Sequence, residues 1–338
     1  MRTVPRRVQR MTTLTALQVA PGRADRPARP RIDSAEVRQT FAAALDAARR
    51  QGRPVLAAWA RPLPEVAPGS LLRRADRLSM RVFYWTSRWT DVESLAVGTS
   101  LDLSGTGVGR FAAVRRAWRR HASGLVTGGS GMAEVPGFPL LVGGFAFGPG
   151  RWHPAGGLPD ALTWCPAVQL VRLGDGSVHL ALTAQVTPDA DPIALADRRV
   201  DLAARLLTAI GRESRREPDA RPGPVIRFDV PDAEQWRREV KAAVDEIHRG
   251  WLAKVVLARQ VVLHAPRPFA VPTAVSRLVA GLAEGAVFAA KFAGRWFLGG
   301  TPECLVRLAR PGSGAQPRRL GSARCDRDRR CGQRAFAP

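Results

Sequence analysis

Residues 162–186 hold two apolar, β-rich runs, LTWCPAVQLVRL (162–173) and SVHLALTAQV (177–186), joined by the turn Gly174-Asp175-Gly176. A link this short returns the chain alongside itself, so the two runs form an antiparallel hairpin; a parallel pair needs a crossover of a dozen or more residues. VFAAKFAG and RWFLGG, within 287–300, repeat the pattern, with glycines at the turn and at the far end. PVLAAWARPL (54–63) and RVFYW (81–85) read as further strands, and FPLLVGGFAFGPG (138–150) as a buried strand ending in glycines. AKVVLARQVVLHA (253–265) has the composition of one more.

Between these lie amphipathic segments with helical spacing. EVRQTFAAALDAARR (36–50), FAAVRRAWRRHA (111–122), DPIALADRRVDLAARLLTAIG (191–211) and TAVSRLVAGLAEG (273–285) are four of them. The most regular follows Asp232, a good N-cap, and aligns Trp236, Val240, Val244 and Ile247 on one stripe before Gly250 stops it. Helices alternate irregularly with hairpins, and neither an internal repeat nor a βαβ series emerges. The implied class is α+β with mostly antiparallel sheet. RESRREPDARPGP (212–224) is polar and Pro-containing, which marks a boundary between an N-terminal region and the remainder of the chain.

A net charge of +23 raises nucleic acid as a partner. Its distribution argues otherwise. Residues 1–30 carry seven arginines and one aspartate, and residues 311–338 seven arginines and two aspartates, so 11 of the 23 units sit on the two ends. Arg115, Arg116, Arg119 and Arg120 read as the solvated face of a helix, with Trp118 alone among them as a stacking platform. Neither nucleic acid nor membrane is expected as a partner: no run approaches the roughly 18–20 apolar residues of a membrane span, and the opening residues lack the apolar core of a signal peptide. They read as a disordered basic leader, and the expected location is the cytoplasm.

Cys165, Cys304, Cys325 and Cys331 lack the spacing of a zinc site, and the five histidines form no ligand pair, so no Cys/His metal site is assigned. GTGVGR (105–110) does not match a dinucleotide fingerprint and reads as a turn.

Lys254 draws attention because the chain has only three lysines among 52 basic residues. Both faces of its expected strand are apolar, so the lysine must pair, reach a cavity, snorkel to water or lose its proton. Desolvation lowers a lysine's pKa from about 10.4, which an arginine cannot follow, and opens general-base chemistry. Glu303 comes after Gly299, Gly300, Thr301 and Pro302, a turn that lifts a carboxylate off the end of a hairpin strand. A base and an acid on separate strands can divide the proton transfers of one reaction between them.

AKVVLAR (253–259), followed 49 residues after its lysine by the glutamate of FLGGTPECLVRL (297–308), resembles the isochorismate synthases of the chorismate-utilising enzyme family. VFYW (82–85), the glycines near 105 and GGFAFGP (143–149) support the likeness, especially to the menaquinone type, from about residue 35 to about 310. The resemblance implies one α+β unit of large, mostly antiparallel sheets flanked by helices, with chorismate as substrate and Mg²⁺ as cofactor. The hydroxyl would move from C4 to C2 of the ring, Lys254 activating water for attack at C2 and Glu303 protonating the departing C4 hydroxyl. Anthranilate-type relatives, which deliver ammonia, carry glutamine at the lysine's place. Salicylate synthases are a further alternative within the family, and a non-catalytic basic nucleic-acid-binding protein is the alternative outside it.

The tail departs from the family's pattern. LGSAR (320–324) lies where relatives have a substrate-contacting loop, which makes Gly321 and Ser322 candidate substrate-binding residues. The magnesium-binding glutamates and the substrate-binding arginine that the resemblance places beyond the TPE turn are not found. The expected organisation is a basic leader (1–30), an incomplete chorismate-binding domain (31–310) and a divergent Arg-rich tail (311–338). A chain truncated or frameshifted in this way is expected to be inactive as it stands.

Overall fold

The computed structural model describes residues 32–135, 138–148, 150, 159–208 and 223–303. The first helix, α1, is Ser34–Gln51: Asp33 caps it by accepting from the Ala35 N–H, and Gly52 ends it at φ +60°, a conformation that strains any L side chain. Strand β1 (Val55–Leu63), helix α2 (Leu72–Asp76) and strands β2 (Val82–Ser87), β3 (Val92–Val97) and β4 (Leu101–Asp102) come next. They lead to α3 (Arg110–Ala122), β5 (Val126–Gly128), β6 (Val142–Phe145), β7 (Ala161–Cys165), β8 (Val168–Arg172), β9 (Val178–Val186) and α4 (Pro192–Leu207). Beyond residue 222 the chain forms β10 (Ile226–Val230), α5 (Ala233–His248), β11 (Gln260–His264), α6 (Val271–Gly281), β12 (Ala286–Phe292) and β13 (Arg295–Thr301).

Eight strands make the principal sheet, in the order β13-β12-β2-β3-β8-β9-β1-β5. Every pairing is antiparallel except β1 with β5. β1 pairs with β9 from Val55↔Val186 to Leu63↔Val178. Its alternate side chains serve two layers. Val55, Ala57, Trp59 and Leu63 join the main core with α1 and α4, while Leu56 and Ala60 face smaller clusters on the other side. There a three-stranded sheet, β4-β7-β6, and α3 provide the cover. The expectation of α+β with large, mostly antiparallel sheets flanked by helices is therefore met.

Two expected strands are shorter than their composition suggests. LTWCPAVQLVRL divides at Pro166, which has no N–H for a ladder: Ala161–Cys165 joins the three-stranded sheet and Val168–Arg172 the principal one. The expected hairpin survives as β8–β9. Of the described residues of FPLLVGGFAFGPG, only Val142–Phe145 is strand.

The segment from β10 to β11 differs from everything before it. β10 and β11 form a two-stranded sheet of their own, and α5 has no buried residue. Of the 21 large hydrophobic residues exposed among the described residues, 14 fall between Val225 and Phe269.

Candidate active site

Glu303 comes just after β13, whose place is set by a ladder running from Phe292↔Arg295 to Ala286↔Thr301. β12 pairs in turn with β2, and Ala286, Val287 and Ala289 are buried, so the hairpin stands on the principal sheet. Gly285, at φ +122°, lies against the carbonyl of Thr301, where a Cβ would collide. The Glu303 N–H donates to Thr301 Oγ1 at 3.1 Å, while its side chain is exposed and unpaired among the described residues. The hairpin expected to precede Glu303 is formed.

Lys254 departs from expectation. The strand expected over 253–265 is formed only over Gln260–His264, and residues 251–259 are irregular and exposed. The reason lies in the partner: β10 ends at Val230, opposite Gln260, because Pro231 has no N–H to extend the ladder. At its other end the segment is fixed by the close of α5, where Gly250 and Trp251 donate to the carbonyls of Ile247 and Glu246 at 3.0 and 3.1 Å. Lys254 is thus neither internal nor desolvated, and among the described residues it has no hydrogen-bond or ion-pair partner.

No hydrogen bond or ion pair among the described residues links Lys254 to Glu303. One precedes the second strand of the two-stranded sheet and the other follows a strand of the principal sheet. What they share is availability, since neither side chain is engaged in holding the fold. Gly321 and Ser322 lie outside the described residues, as do the leader and the Arg-rich tail. Among the described residues no group of three or more His, Cys, Asp or Glu is arranged to hold a metal ion.

Lysine scarcity proves a poor guide by itself. Lys291 is also retained, and it is structural: its Nζ donates to the carbonyls of Asp76 and Leu78 and pairs with Asp76 Oδ1 at 3.2 Å, beside the Trp296 ring. The buried polar centre that residue-by-residue reading missed surrounds Glu93. Its Oε1 accepts from Tyr84 Oη at 2.8 Å and the Gly69 N–H at 2.9 Å, and its Oε2 from Arg172 at 3.0 and 3.1 Å. Burial, with the Glu93 charge beside it, pushes the Tyr84 hydroxyl far above its ordinary value of 10.0, so the tyrosine is a fixed donor. Tyr84 and Glu93 line a pocket of about 260 Å³ together with Val275 and Val279 of α6. The available signal was the chain's single tyrosine.

Over residues 42–312 the sequence matches the family described as chorismate binding enzyme. The chain belongs to that family. The match contains both Lys254 and Glu303. A curated relative, the salicylate biosynthesis isochorismate synthase of Pseudomonas aeruginosa, is 28% identical over 317 residues, which cover 86% of this chain and 62% of that protein. Among solved structures, MenF, the menaquinone-specific isochorismate synthase from Escherichia coli, aligns at a TM-score of 0.49 and 21% identity. That alignment covers 78% of this chain and 56% of MenF, so the chain spans under two thirds of either relative.

Proposed function

We propose that this chain carries the proton-transfer half of an isochorismate synthase, which converts chorismate to isochorismate. The observation that carries the reading is the 28% identity over 317 residues with an isochorismate synthase. The paired motifs of Lys254 and Glu303 lie within the family match and support it. In the proposed reaction Lys254 takes a proton from water as its oxygen bonds to C2. The ring double bond shifts, and the C4–O bond breaks as Glu303 gives its proton to the departing hydroxyl. One water is consumed and one released, so the atoms balance. A lysine at this place, rather than the glutamine of ammonia-using relatives, favours water as nucleophile.

Mg²⁺ is part of the proposal as the cation expected to neutralise substrate carboxylates. No step is routed through it, since the described residues offer no cluster to hold it. Lys254 and Glu303 both stand open to solvent, which forgoes the orientation that makes such pairs effective, commonly many orders of magnitude in rate. The 338-residue chain on its own is therefore expected to convert chorismate at or near background.

The test is a chimera joining residues 1–303 of this chain to the part of the Pseudomonas aeruginosa relative that lies beyond its matching glutamate. Mg²⁺-dependent isochorismate formation, lost in Lys254→Ala and in Glu303→Gln, is the expected result. Salicylate with pyruvate as products points to a salicylate synthase instead. A folded chimera that binds chorismate and leaves it unchanged overturns the reading.

A further inference from the structure

The face of α3 turned from the core carries Arg115, Arg116, Arg119 and Arg120, all exposed. Residues 115 and 119, and 116 and 120, stand one turn apart, so the four guanidinium groups form one stripe on a helix with no acidic residue. None of the four pairs with a carboxylate among the described residues. The end of α1 adds to the charge. Arg49 and Arg50 lie in its last turn, and Arg53 donates to the carbonyl of Arg120 at 3.2 Å, which joins the two helix ends. Asp46 is the one exposed carboxylate in that part of α1 and offsets a single unit. The His121 imidazole records the surroundings: desolvation first, then the charges of Arg120 and Arg53, hold its pKa below the ordinary 6.5.

The opposite end of the same helix is apolar and, among the described residues, exposed. Phe111, one turn before Arg115, packs its ring on Phe145 at 4.5 Å, and both are exposed. Val108 is 85% exposed and Phe147 fully so. Arg110 ties these side chains into one place. Its guanidinium donates to the carbonyls of Gly107, Ala146 and Phe147 and lies 4.5 Å from the Phe111 ring centre.

A nucleic-acid backbone would satisfy the arginines and leave Val108 and Phe147 in water. Trp118, the aromatic between the arginine pairs, is half-buried with its side chain packed against the core, a poor platform for stacking. An anionic bilayer takes both halves, with phosphates for the guanidinium groups and the headgroup boundary for the apolar end. We propose that α3 docks this protein peripherally on an anionic phospholipid surface, the four arginines on the phosphates and Val108 and Phe147 entering the headgroup boundary. The sequence-based expectation of no membrane partner rested on the lack of a spanning segment, which surface docking does not require.

The test is co-sedimentation of the full chain with vesicles of phosphatidylcholine and phosphatidylglycerol, against phosphatidylcholine alone. Binding to the anionic vesicles, weakened by salt, is expected. Arg116→Gln with Arg120→Gln should lower partitioning about 25-fold, since each basic side chain near such a surface contributes about fivefold. Val108→Ser with Phe147→Ser, which leaves the charges in place, should weaken binding that persists at high salt. Melting curves matching the parent protein's establish that both variants are folded. Equal binding to neutral vesicles, no binding, or unchanged partitioning of the arginine variant, which would assign the effect to the basic ends, each overturns the proposal. So does tighter binding to a short DNA duplex that the arginine substitutions abolish.

Discussion

α1 and α5 begin alike. Asp33 and Asp232 each cap a helix by accepting backbone N–H groups, and each helix carries an apolar stripe at the same spacing. α1 buries seven residues against β1, β9 and α4; α5 buries none. Local sequence is enough to start and stop a helix, since caps and periodicity act within a few residues. Burial depends on an element contributed from elsewhere, which β1 and β9 supply to α1 and no described element supplies to α5.

The contrast can be broken most directly by truncating one side chain in each helix. Phe41→Ala removes a wholly buried ring and should cost about 3–5 kcal/mol in urea unfolding. Val244→Ala on α5 should cost under about 0.5 kcal/mol. A loss above about 1 kcal/mol would mean that the α5 stripe is covered in solution.

Glu93 offers the next largest effect, because it belongs to the well-covered region. Glu93→Ala leaves the Tyr84 hydroxyl and the Gly69 N–H without their acceptor and should cost about 2–4 kcal/mol by the same measurement. Hydrogen exchange sharpens the comparison without mutation: amides of Ala233–His248 should exchange well before those of Ser34–Gln51. Equal protection would make the two regions one cooperative unit.

The smallest effect concerns pH. The folded pKa of His121 lies below its unfolded value, so below about pH 6.5 the unfolded chain binds more protons than the folded one. The histidine's contribution is complete above that value and is lost as the pH falls through the window beneath it. His121→Gln should therefore slightly flatten the drop in Tm between about pH 7.5 and pH 5. An unchanged slope would remove His121 from the account.

Periodicity and turn chemistry made most elements legible. The Asp232 cap, the β8–β9 hairpin and the basic helix of residues 111–122 are dictated by neighbours in sequence. The illegible parts depended on partners. Pro166 could be read as an interruption, but not as the point where one run of strand is shared between two sheets. Lys254 shows the same limit in the candidate site. Its apolar neighbours suggested an interior strand, and the five-residue β10 left them without a ladder. Glu303 was legible because two glycines and a short hairpin fix it locally. The polar centre of Tyr84, Glu93 and Arg172 is assembled from three strands, so no local pattern announces it.

The two margins of the principal sheet have unequal futures. At one margin β5 offers only Val126–Gly128, too short to template much. At the other, β13 presents seven residues whose outer backbone groups have no partner strand among those described. Such a margin is where a sheet grows. Any strand that joins there, from this chain or another, would run beside Gly299, Gly300 and Thr301, the residues that lead into Glu303. Adding one strand at that margin would thus extend the fold and change the surroundings of the backbone that carries Glu303.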